Sequence, residues 1–175
     1  MSTHTTTEAT EPVRTWPKGH HFEDFVVGQV FAHHWGRTIL ESDNATFSAL
    51  TLNYHPTYFN LPYAKALGHP GLVANPMLVF LITFGMSVQD LSEVGGAFLG
   101  VDDLVHHRPV AVGETLVAHS TVIETRDSRS RPHQGVVSWR TEGHTYGTYG
   151  QPEQNSLVIS FIRTNLIGRR NREES

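Results

Sequence analysis

The stretch Asn75-Pro76-Met77-Leu78-Val79-Phe80-Leu81-Ile82-Thr83-Phe84-Gly85-Met86-Ser87-Val88-Gln89-Asp90-Leu91 decides the fold. Asn75 suits a helix N-cap, where its side chain accepts an orphan backbone N–H, and Pro76 suits the first helical position, where a missing N–H costs nothing. From Met77 to Phe84 every residue except Thr83 is apolar. No face is reserved for water, so other elements must enclose the helix. A membrane span is the rival reading, and it is weak: the apolar run falls far short of the roughly 20 residues a bilayer needs, and Gln89-Asp90 follow at once. Long segments downstream alternate like strands, which predicts a sheet wrapped around one apolar helix.

Upstream of the helix, Val30 to Ile39 reads as a first strand. Ser42 or Asp43 suits the cap of a short helix running through Leu52, with Phe47 and Leu50 three apart on one face. Pro56 disfavours helix at His55. A second short helix runs from Tyr58 or Asn60 to Leu67, stopped by Gly68 and Pro70-Gly71. After Gly95-Gly96 the period becomes two. Ala97 to His107, Glu114 to Asp127, Val136 to Tyr146 and Leu157 to Ile167 read as strands, the last two flanking a loop at Gly147 to Pro152, and the second is long enough to need strong twist or a bulge. The fold class expected is α+β, an antiparallel sheet curled around a long central helix. Residues 1–18 read as a disordered arm, 19–168 as one domain and 169–175 as a solvated tail.

At 175 residues the chain has a one-domain length. With 13 Lys+Arg against 17 Asp+Glu, the formal charge of −4 leaves no footprint for nucleic acid. The absence of cysteine excludes disulfides, thiolate metal sites and a cysteine nucleophile. Nothing near Met1 resembles a signal peptide, so a cytoplasmic protein without membrane partners is expected. Twelve histidines are an unusual share. The pairs His20-His21, His33-His34 and His106-His107 would point to opposite faces of a strand and cannot readily chelate one ion. No His-x-x-x-His or His-x-x-Glu-His spacing occurs, so no metal site is expected.

Several short stretches, in order along Phe22 to Ile167, carry a family resemblance. His21-Phe22-Glu23-Asp24-Phe25, Arg37-Thr38-Ile39 and Val112-Gly113-Glu114-Thr115-Leu116 resemble the MaoC-like dehydratases of the hotdog fold. Leu52-Asn53-Tyr54-His55-Pro56, Phe98-Leu99-Gly100 and Asp127-Ser128-Arg129-Ser130-Arg131-Pro132-His133 are most similar to the mesaconyl-CoA and related branched acyl-CoA hydratases among them. The resemblance implies a single hotdog domain forming a homodimer or higher oligomer, with the acyl thioester at the subunit interface. It implies a lyase that reversibly adds water to an α,β-unsaturated acyl-CoA or acyl-carrier thioester. No metal or redox cofactor is implied; coenzyme A or phosphopantetheine enters as part of the substrate. The work is to deprotonate one water, protonate the α-carbon and stabilise charge on the thioester oxygen.

In typical members an Asp-x-Asn-x-x-His stretch supplies acid and base. Aligned on Pro56, this chain has Asn53 at the aspartate, His55 at the asparagine and Tyr58 at the histidine; a shifted gap would match His55 to the histidine and Leu50 to the aspartate. An amide can only orient, whereas an imidazole accepts and donates protons near neutrality. His55 is therefore the candidate for proton transfer, with Asn53 and Tyr58 positioning water or substrate. Asn75-Pro76 stands where His-Gly is usual at the helix start, leaving the Met77 N–H and the Asn75 side chain as candidate oxyanion donors. Arg129 and Arg131 suit phosphates, and His106, His107 and Arg108 line an interface or face water. The altered motif keeps other readings open: a thioesterase, an isomerase or cyclase, or a non-catalytic member that binds a thioester or completes a partner.

Overall fold

The computed structural model describes residues 19–146 and 156–170. The expected N-terminal arm, the loop Gly147 to Pro152 and the tail beyond Arg170 lie outside the described residues. In chain order the elements are β1 (Val30–Ala32), β2 (Arg37–Thr38), α1 (Glu41–Leu50), α2 (Leu61–Ala66), α3 (Pro76–Ser92), β3 (Phe98–His106), β4 (Thr115–Asp127), β5 (Gln134–Tyr146) and β6 (Ser156–Gly168). All pairings are antiparallel, in the order β1-β4-β5-β6-β3, with β2 also on β4. This is the hotdog arrangement. No helix among the described residues is long and apolar enough to cross a membrane.

α3 starts as its sequence predicts: Asn75 Oδ1 accepts the Met77 N–H at 3.0 Å, and Pro76 occupies the first turn. The expectation of full enclosure is corrected. Leu78, Val79, Thr83, Ser87 and Leu91 are buried, while Met77, Leu81 and Val88 are 42%, 47% and 37% exposed. One sheet covers only one side of a helix. Two hydroxyls sit on the covered side because each bonds within the helix, Thr83 to the Val79 carbonyl and Ser87 to the Phe84 carbonyl. At Gly143 of β5 the helix and sheet come close: a Cβ there would lie 2.9 Å from Thr83 side-chain atoms. Packed against α3 are Ile39, Leu116, Val158, Ile159 and Phe161, and a second cluster joins Phe25, Leu91, Val122, Val137, Trp139 and Ile167.

Three local expectations change. The first strand is two short pieces, because Trp35 adopts φ 66° and His33 turns inward to 7% exposure. The cap of α1 is Leu40, and Asp43 instead accepts the Leu40 N–H at 3.0 Å from the third helical position. The inner face of α1 carries Asn44 and Ser48, both buried, whereas Leu50 is 79% exposed. Other readings hold. Asn60 caps α2 by accepting the Tyr63 N–H at 3.1 Å. Along β4 the set Leu116, Ala118, Ser120 and Val122 is buried, and the register shift between Val122 and Glu124 is the expected bulge. Gly96, at φ 143°, permits a turn in which a Cβ would sit 1.6 Å from the Leu166 carbonyl oxygen. Arg169 and Arg170, assigned to the tail, are held: the Arg169 N–H donates to the His133 carbonyl at 3.0 Å, its guanidinium bonds Asp127, and Arg170 bonds Asp24.

Candidate active site

α1 ends in a left-handed residue, Leu52 at φ 57°. The Leu52 N–H donates to the Ala49 carbonyl at 3.3 Å and the Asn53 N–H to the Ser48 carbonyl at 3.0 Å, a stop usually closed by glycine. Asn53 is thereby fixed by its backbone, with an exposed side chain. Pro56–Tyr58 then forms a single 3-10 turn. His55 precedes it, its Nδ1 2.7 Å from Thr57 Oγ1 and its ring centroid 5.5 Å from that of Tyr58. Burial pushes the Tyr58 phenol above its ordinary value, so it is a protonated donor at neutral pH.

Asn44 holds this turn against the start of α3. It is fully buried; its Nδ2 donates to the Tyr58 carbonyl at 2.8 Å and to the Val73 carbonyl at 3.0 Å, and its Oδ1 accepts the Asn75 N–H at 2.7 Å. Sequence reasoning missed it. The available signal was Asn44 and Ser48 four apart on α1, a polar pair on the face that packs inward.

His55, Thr57 and Tyr58 line one side of a cleft of about 520 Å³, together with Pro76 and Val79 from α3 and His106, His107 and Arg108 from the end of β3. Burial, with His107 adding to it, pushes the His106 imidazole below its ordinary value, so His106 is uncharged at neutral pH. His107 Nε2 lies 2.9 Å from Ser160 Oγ. Arg108 donates to Glu114 Oε1 at 2.8 Å, Ser156 Oγ at 2.8 Å and Thr145 Oγ1 at 2.6 Å. Burial acts to raise the Glu114 carboxyl, but the Arg108 guanidinium and the Ala111 N–H outweigh it and hold the group below the ordinary carboxylate range. The cleft is thus lined by the imidazoles of His55, His69, His106 and His107, a neutralised guanidinium, a phenol and the positive end of a helix.

The remaining sequence candidates fall elsewhere. Asn75 is fully buried, with Oδ1 engaged by the Met77 N–H and Nδ2 unpartnered among the described residues. Met77 and Asn53 do not line the cleft. Arg129 lines a second cleft, of about 620 Å³, with Leu99, Arg126, Ser128 and Ser130. Arg131 donates instead to Gln134 Oε1 at 3.3 Å. The two clefts lie at opposite ends of β3, Leu99 at one and His106 at the other, about 23 Å along an extended strand.

A third constellation has the connectivity of a nucleophilic triad: Ser120 Oγ lies 2.8 Å from His33 Nε2, and His33 Nδ1 lies 2.6 Å from Asp90 Oδ2. Ser120 is fully buried, bonds Thr141 at 2.7 Å and lines neither cleft. With Ser120 buried and outside both clefts, the three side chains act as a clamp that ties the end of α3 to β4 and to the residue that follows β1.

Comparison with known proteins agrees with the architecture. The family model described as mesaconyl-CoA hydratase matches residues 1–175. A mesaconyl-CoA hydratase from Haloarcula hispanica is 38% identical over 156 residues, 89% of this chain and 42% of that protein. The chain therefore spans less than half the length of this curated relative. Among solved structures, a MaoC domain dehydratase from Chloroflexus aurantiacus superposes with a TM-score of 0.78 at 30% identity, over 91% of this chain and 43% of that one. A double-hotdog protein from Mycobacterium tuberculosis gives 0.77 at 26% identity, over 88% and 46%.

Proposed function

The chain belongs to the mesaconyl-CoA hydratase family of MaoC-like hotdog proteins, and on that premise we propose that it adds water reversibly across the double bond of a small or branched α,β-unsaturated acyl thioester. The observation that carries the reading is the cleft itself, where His55, Tyr58 and His106 meet the start of α3 in a volume suited to a pantetheine-linked acyl group. In the tautomer that donates Nδ1–H to Thr57 Oγ1, His55 Nε2 is the basic atom that takes a proton from water. Tyr58 donates a hydrogen bond and uncharged His106 is the second proton-handling group; Asn53, which does not line the cleft, has no part in this reading. The thioester oxygen faces the first turn of α3, where the helix dipole favours developing negative charge. Because the Met77 N–H is bonded to Asn75, the dipole contributes more here than that amide does.

A second copy completes the site in this proposal. β3 is an edge strand carrying exposed Phe98, Leu99, Leu104 and Val105, and its antiparallel pairing with another β3 sets the Arg129 cleft of one copy beside the His55 cleft of the other. The arginines then receive the phosphates of coenzyme A or of a carrier arm. The H. hispanica relative is long enough to hold a second domain of this size in one polypeptide, which supports the same pairing.

A second reading is favoured by one observation, the amide and phenol at the usual aspartate and histidine positions: the chain binds the thioester while a different hotdog partner supplies acid and base. The test is turnover of crotonyl-, mesaconyl- and 3-hydroxyacyl-CoA by wild type and His55→Ala, following enoyl thioester absorbance and free thiol together. Loss of kcat by about 10²- to 10⁴-fold in a folded mutant, without thiol release, is expected. Thiol release would make the protein a thioesterase, and a silent wild type favours the partner-dependent reading.

A further inference from the structure

Gly143 of β5 points its missing Cβ at Thr83 of α3, so Glu142 and His144 on either side project from the opposite face of the sheet. His119 of β4 stands directly across from Glu142 in the strand register. Three metal-ligating residue types therefore share one face on adjacent strands. His119 Nε2 lies 2.9 Å from Glu142 Oε2, His144 Nε2 lies 3.9 Å from the same oxygen, and all three donor atoms fall within 4.8 Å of one another. The two rings stack at 5.1 Å with 22° between their planes. An ordinary ion pair accounts for His119 and Glu142. It does not account for His144, whose Nε2 is buried and without a hydrogen-bond partner among the described residues.

We propose that His119, Glu142 and His144 bind one divalent transition-metal ion of the zinc class, through two imidazole nitrogens and one carboxylate oxygen, with water in the open position. Bonds of about 2.1 Å in a tetrahedral array place donor atoms about 3.4 Å apart, a value the observed 2.9 and 3.9 Å bracket. Side-chain movement that draws the His119 and His144 nitrogens, which lie within 4.8 Å of each other, to that spacing would complete the geometry. Mixed nitrogen and oxygen donors suit Zn²⁺, Co²⁺, Ni²⁺ and Cu²⁺, whereas Mg²⁺ and Ca²⁺ take oxygen sets. The ion staples β4 to β5 beside Tyr146, the last residue of β5, and none of the three ligands lines the His55 cleft. This departs from the sequence expectation of no metal, which rested on helical spacings. On paired strands the relevant pattern is Glu-x-His plus a histidine brought opposite by register.

The test is titration of the chelator-treated full chain with Co²⁺, read by visible d–d absorption, and with Zn²⁺, read by calorimetry and by melting temperature. One equivalent is expected to bind with micromolar or tighter affinity and to raise the melting temperature, since only the folded chain holds the three ligands together. Affinity falls at least tenfold in His144→Ala and, independently, in the near-isosteric Glu142→Gln; it is unchanged in His34→Ala, and Mg²⁺ gives no signal. Absence of saturable binding, or binding retained in both His144→Ala and Glu142→Gln, would overturn the assignment and leave an ordinary ion pair.

Discussion

Asn44 shows how one side chain can decide the geometry of a site it does not enter. Its three hydrogen bonds satisfy two carbonyls and one N–H, joining the turn that carries His55 and Tyr58 to the residue that caps α3. Removing a partner leaves a buried polar group paying its desolvation cost, about 1–3 kcal/mol each. Asn44→Ala is therefore expected to lose about 2–5 kcal/mol of stability, measured as a lower urea midpoint. Asn44→Asp, which keeps the acceptor for the Asn75 N–H but sets a buried carboxylate oxygen against two carbonyl oxygens, should lose at least as much at neutral pH. Motif alignment draws attention to Asn53, His55 and Tyr58. It passes over Asn44, because the groups that Asn44 bonds arrive from 14, 29 and 31 positions away.

At the level of elements, α3 is held by a polar network as well as by its apolar contacts. Arg163 is 2% exposed, lies 4.3 Å over the Phe84 ring and donates to Ser87, Ser92 and Asn165. Burial pushes its guanidinium down to about 10, so it remains charged at neutral pH. His33 sits in the same interior. Burial lowers its imidazole below the ordinary value, Asp90 opposes that through a hydrogen bond and its charge, and His119 and Arg163 add to the lowering. The native state thus favours neutral His33 relative to the unfolded chain. Its contribution is complete above the unfolded value, about 6.5, and is lost as pH falls below that value toward the lower folded one. Urea midpoints measured between pH 8 and 5 should hold above that point and decline below it, and the decline should be shallower in His33→Gln. His106 and His144 are also lowered and act in the same direction, so the mutant flattens the profile without abolishing the slope.

For the whole molecule, the open edge of the sheet is the controlling feature. An edge strand with exposed Phe98, Leu99, Leu104 and Val105 invites pairing unless something covers it. The proposed pairing predicts sedimentation of the wild type at twice the 19.5 kDa chain mass or a multiple of that. Leu104→Asp should shift the population toward monomer and reduce turnover with it, because each cleft then loses the arginines of the other copy. A monomeric wild type with full activity would remove the interface from the mechanism.

The sequence by itself determined the start of α3, the four long strands that follow it and the family resemblance. Caps depend on side chains within a turn, and strand period depends on alternate neighbours, so Asn75-Pro76 and the alternation along β4 carry their own meaning. Only the tertiary structure decided that one side of α3 stays uncovered, that Asn44 ties the His55 turn to Asn75, that His106 joins the cleft, and that His119 stands opposite Glu142. Each of these depends on which strands pair, in what register, and on which face a helix lands. Those outcomes are fixed by contacts between residues tens of positions apart, where local periodicity carries no information.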